Sequence, residues 1–140
     1  MEIKQFKADA QYLDNLIGSL TNQYINLDYS DIVNIKKCKD ISIYTASKDA
    51  SFQGDSDEFV QVFIDEAKNL LAGQTPHSVL ISLSLERDAS ITMEAMSSFN
   101  DLCEVFSEDV EVKWGIAHIH DDIPMYIVIA VGTNPEEVCL

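Results

Sequence analysis

The sequence predicts an α/β fold: a two-layer sandwich with a mixed sheet of about four strands, helices on one face, and a long N-terminal helix. Three observations predict it. Segments with apolar residues at helical spacing alternate with β-branched runs. Strands separated by helices of roughly 12–15 residues imply right-handed crossovers and a mainly parallel sheet. The last two strands are joined by only a short connection, His120-Asp121-Asp122-Ile123-Pro124, which implies an antiparallel pair.

The elements follow in order. Leu13, Leu16, Ile17, Leu20 and Tyr24 fall on one helical face, and Phe6 and Ala10 extend that stripe upstream, so a helix is expected over residues 5–23. A loop follows through Asp28. A short second helix is expected from Ser30, whose hydroxyl can cap free N–H groups, with Asp31 favoured by the positive end of the dipole and Ile32, Val33 and Ile35 as apolar positions. Residues 41–46, Ile-Ser-Ile-Tyr-Thr-Ala, alternate and are β-branched, as a strand requires. Residues 47–57 are small, polar and charged and read as a loop. Phe59, Val62, Phe63, Ala67, Leu70 and Leu71 make the stripe of a third helix that Gly73 stops. Ser78 to Leu85 is a strand whose apolar density implies burial on both faces. A fourth helix is expected from Thr92 to Phe106, with Met96, Phe99, Cys103 and Phe106 in register. Val110–Ile119 and Met125–Val131 close the sheet, with Trp114 packed in the core. Three segments result: 1–28, the N-terminal helix and its loop; 29–132, the α/β domain; and 133–140, a short polar tail.

Composition narrows the function. The chain has 140 residues, 46% hydrophobic and 24% charged, which suits one globular domain. Aspartate and glutamate outnumber lysine and arginine 24 to 9, for a formal charge of −15. Nucleic acid and anionic membrane surfaces need clustered cations, so neither is an expected partner. Cys38, Cys103 and Cys139 are odd in number and lack CxxC spacing, which points to free thiols in a reducing cytoplasm. The sequence has no apolar run near the ~18–20 residues that cross a bilayer, and its first residues lack the apolar core of a signal peptide. Cys139 stands in the wrong place for prenylation. The expectation is a cytoplasmic protein, and the sequence leaves open whether it stands alone or is a piece of a longer product.

Two clusters carry possible chemistry. In Asn26-Leu27-Asp28-Tyr29-Ser30-Asp31, two carboxylates three residues apart can polarise a water or hold a cation; a plain loop and helix cap accounts for the same residues. In His118-Ile119-His120-Asp121-Asp122, two imidazoles on one side of a strand can share a metal, yet no third ligand is evident and a polar strand end explains them equally. A small metal-dependent enzyme built on His118 and His120 is the reading that second cluster would support. No GxSxG, HExxH, GxxxxGK[ST] or GxGxxG element occurs.

The first cluster and several strands together resemble the FtsZ/tubulin family. The FtsZ loop of the form Asn-Leu-Asp-Phe-Ala-Asp is similar to Asn26 to Asp31, and Tyr24-Ile25 precedes it where FtsZ has Leu-Ile. The family strand Val-Leu-Ile-Asn-Ile resembles Val79-Leu80-Ile81-Ser82-Leu83. Its Phe-Gly strand and acidic turn resemble Trp114-Gly115 and Asp121-Asp122, and its closing Val-Thr-Val-Ile-Ala-Thr-Gly resembles Tyr126 to Gly132. The resemblance spans about residues 5–132, in order.

The resemblance implies the central helix, catalytic loop and C-terminal domain of FtsZ without the GTP-binding domain. In that family one subunit binds GTP and the Asn-x-Asp-x-x-Asp loop of the next completes the site. Asn26, Asp28 and Asp31 are the positions carried over: Asn26 toward the nucleotide, Asp28 and Asp31 toward water or a cation. The implied chain binds no cofactor alone and meets GTP only through an FtsZ-type partner. It is no enzyme by itself, but an interaction protein of the cell-division cytoskeleton that binds or caps filaments. The alternative is a self-associating module that kept the fold without filament function. The chain departs from the family at Thr45-Ala46-Ser47-Lys48, where the family has a Gly-rich turn, at Asp57-Glu58-Phe59 and at Ser84-Leu85-Glu86.

Overall fold

The computed structural model describes residues 3–9, 11–13, 15, 33, 35–48, 52–85, 92–106, 109–118 and 125–135. Five strands form one sheet: β1 (Lys4–Ala8), β2 (Cys38–Ser47), β3 (Ser78–Leu85), β4 (Glu111–His118) and β5 (Tyr126–Pro135), in the spatial order β1-β2-β5-β3-β4. Two helices, α1 (Ser56–Leu71) and α2 (Met93–Cys103), connect β2 to β3 and β3 to β4.

The sheet is mixed, but its balance differs from the expectation. Only β3 and β4 run parallel; the β1–β2, β2–β5 and β5–β3 ladders are antiparallel. β4 and β5 are not neighbours despite their short connection. β5 inserts between β2 and β3 because both of its sides are apolar: Ile127, Ile129 and Val131 join one core, Val128 and Ala130 the other, and all five are buried. A strand apolar on both sides gains most from an interior position. β4, which carries the exposed Lys113 and a half-buried Val112, takes the edge.

The N-terminal residues 4–8 are a strand, not the start of a helix. β1 pairs with β2 from Lys4 opposite Thr45 to Ala8 opposite Ile41. Phe6, whose spacing to Ala10 and Leu13 suggested a helical stripe, lies in the strand, 38% exposed, with its ring edge-on to Tyr12 at 5.4 Å. The chain turns helical after Asp9, whose carboxylate accepts the Tyr12 N–H at 2.9 Å and whose carbonyl accepts that of Leu13 at 3.4 Å. Asp9 is thus an N-cap, and the backbone pairing offered by the β2 edge governs the residues before it. Gln11, Tyr12, Leu13 and Asn15 are helical, as are Val33, Ile35 and Lys36. The rest of the expected helix, from Leu16 through Leu20 to Tyr24, and the Ser30 start of the second helix lie outside the described residues.

Both faces of the sheet are covered, which the expectation of helices on one face missed. On the first face α1 and α2 pack Phe59, Phe63, Ile64, Phe99 and Leu102 onto Val79, Ile81, Leu83, Ile127 and Ile129. On the second, Leu13, Ile35 and Cys38 pack onto Ile41, Ile43, Leu80, Val128 and Ala130. Gly132 permits that second layer. A Cβ there would lie 2.6 Å from Cys38 Sγ and 3.0 Å from Ile35 Cγ1.

The helices begin and end where local chemistry dictates. Asp55 caps α1, accepting the Glu58 N–H at 2.8 Å; Asp57 and Glu58 stand at its positive end and Lys68 in its last turn. Gly73, at φ 82°, provides the left-handed residue after the helix. The buried stripe of α1 is rotated from the expected one: Val60 and Ile64 are inside, Val62 is half-buried and Leu70 is 42% exposed. α2 is shorter than expected; Phe106 lies beyond it but is still buried, and Leu102 is the apolar anchor that the spacing overlooked. Trp114 is half-buried and stacks on Phe99, with centroids 5.4 Å apart and rings 16° from parallel.

Candidate functional site

Asn26, Asp28 and Asp31 lie outside the described residues, so their geometry is not part of the structure presented. The described residues on either side of them place the segment's two ends. Leu13 precedes it and Ile35 follows it, and both are fully buried in the second-face core against β2, β3 and β5. The candidate loop therefore connects two anchors in one apolar cluster. β1 ends and β2 begins beside each other at the same end of the sheet, with Ala8 opposite Ile41. The anchors are firm for a physical reason: each is an aliphatic side chain fully removed from water, a burial worth about 1.5–3 kcal/mol.

His118 is the last residue of β4, its backbone opposite Leu85. Its side chain and the whole of His120 lie outside the described residues. Among the described residues, no group of three or more histidine, cysteine or carboxylate side chains is placed to hold a metal ion.

One open hollow, of about 250 Å³, lies between the N-termini of α1 and α2 and is lined by Asp57, Glu58, Gln61, Thr92, Glu94 and Ala95. Helix N-termini attract anions through free N–H groups, but here the protein supplies its own acceptors. Thr92 Oγ1 accepts the Ala95 N–H at 3.2 Å, and the Asp57 carboxylate accepts the Thr92 N–H at 3.0 Å. Ser98 donates to Gln61 Oε1 at 2.8 Å and ties the two helices further along. The hollow is thus a capping arrangement with solvated carboxylates. Sequence reasoning passed over it, although Asp55 followed by Glu58 is a recognisable helix-start signature and Thr92 a standard cap.

The described thiols are not activated nucleophiles. Burial pushes the Cys38 thiol up, and burial also raises that of Cys103, partly offset by a backbone hydrogen bond. Burial, and then the nearby Tyr126, likewise raises the Tyr12 phenol. These shifts belong to packing. No helix among the described residues is long and apolar enough to cross a membrane.

No protein-family model matches the chain, and no curated protein matches it. Its fold does have solved counterparts. An empty FtsZ dimer from M. jannaschii matches 83% of this chain with a TM-score of 0.54 at 13% sequence identity, and the match covers 37% of that chain. A tryptophan-to-tyrosine mutant of M. jannaschii FtsZ matches 79% of it with the same TM-score, 0.54, at 17% identity, covering 33% of that chain. At such identities the likeness is one of fold: this chain folds like part of FtsZ and spans about a third of the length of those structures.

Proposed function

We propose that this chain is a cytoplasmic interaction protein of an FtsZ-type cytoskeleton, which joins filaments through the Asn26–Asp31 loop and brings no nucleotide site of its own. The observation that supports the reading is the match in fold to FtsZ over 83% of the chain. The Asn26-x-Asp28-x-x-Asp31 pattern adds to it, being the loop such a fold would use toward a neighbour's GTP.

The mechanism follows from assembly geometry. A head-to-tail filament needs two different surfaces on each subunit. A subunit that offers the loop surface alone can add to one end and then block further growth. On this reading Asn26 meets the nucleotide, while Asp28 and Asp31 polarise the attacking water or a cation in the partner's site. The chain turns over no GTP alone and at most supplies those carboxylates in trans. Its charge of −15 opposes docking beside a triphosphate, so a bound cation or basic partner residues must offset it.

The test is a titration of the chain into an FtsZ-type GTPase from the same cell with GTP, following pelletable polymer and phosphate release together. Polymer is expected to fall at substoichiometric chain. Any stimulated phosphate release is expected to disappear in the Asp28→Ala/Asp31→Ala double variant. If neither polymer nor turnover responds up to an excess of chain, the filament role is refuted; if turnover survives the double substitution, the catalytic part is.

A further inference from the structure

We draw no further inference here: the strongest candidate, the apolar flank where α2 meets β4, with Met93 79% exposed and Met96, Cys103 and Trp114 half-buried, carries none because nothing among the described residues shows what covers it.

Discussion

The two faces of the sheet are built differently, and β3 shows the contrast within one strand. Toward α1 and α2 it presents Val79, Ile81 and Leu83, all buried against large aromatic and aliphatic side chains. Toward the N-terminal layer it presents Ser78, Leu80, Ser82 and Ser84, equally buried but mostly small and polar. The first face is a conventional packed core. Among the described residues the second holds Leu13, Ile35 and Cys38, from segments distant in sequence, against β2, β3 and β5. The segment bearing Asn26, Asp28 and Asp31 is tethered to this second face.

The sharpest way to break this contrast is to empty each face in turn. Phe63→Ala is expected to cost about 3–5 kcal/mol and Leu13→Ala about 2–5 kcal/mol, since both side chains are fully buried. Urea unfolding measures both. If the two faces form one cooperative unit, each variant shows a lower midpoint with an unchanged slope. A Leu13→Ala midpoint equal to that of the unaltered chain would show that the second face opens on its own and contributes nothing to global stability.

The same contrast sets what the sequence revealed. The first face was legible, because Val79 to Leu83 and the Phe59–Phe63–Ala67–Leu71 spacing are local signals of burial. The second face was legible only in its parts: Leu13 and Ile35 were read as apolar helical positions, but their meeting on the sheet is made by pairing and packing between residues far apart. β1 is five residues long with mostly exposed side chains, so periodicity could not distinguish it from the helix that follows Asp9. What makes it a strand is the edge of β2, some forty residues on. The place of β5 had a readable signal, apolar residues on both sides from Ile127 to Val131, but the short connection from β4 outweighed it. Of the candidate site, the sequence named the residues and the structure supplies only the anchors at either end, Leu13 and Ile35.

A finer probe of the second face is its tightest approach. Gly132 lies opposite Ile41 and Ser78, under Ile35 and Cys38. Cys38 Sγ and Ile35 Cγ1 would both have to retreat from an added methyl, so Gly132→Ala is expected to destabilise by about 1–3 kcal/mol. A paired Cys38→Ala/Gly132→Ala variant removes the nearest obstacle and is expected to recover part of that loss. Equal stability of the two variants in urea would mean that Ile35 alone resists the methyl.

The smallest effect discriminates best, because its sign differs between the faces. Ser84 is fully buried on the second face, and among the described residues its hydroxyl has no hydrogen-bond partner. Ser98, buried on the first, donates to Gln61 at 2.8 Å and links α2 to α1. Removing an unsatisfied buried hydroxyl relieves its desolvation cost, whereas removing a satisfied one forfeits a bond and strands its acceptor. Ser84→Ala is therefore expected to be neutral or to stabilise by up to about 1 kcal/mol, and Ser98→Ala to destabilise by about 1 kcal/mol. Thermal unfolding of the two variants side by side reads the sign. A Ser84→Ala variant that melts lower than the unaltered chain would mean that the hydroxyl is satisfied in solution, and that the second face is wetter or better bonded than its packing indicates.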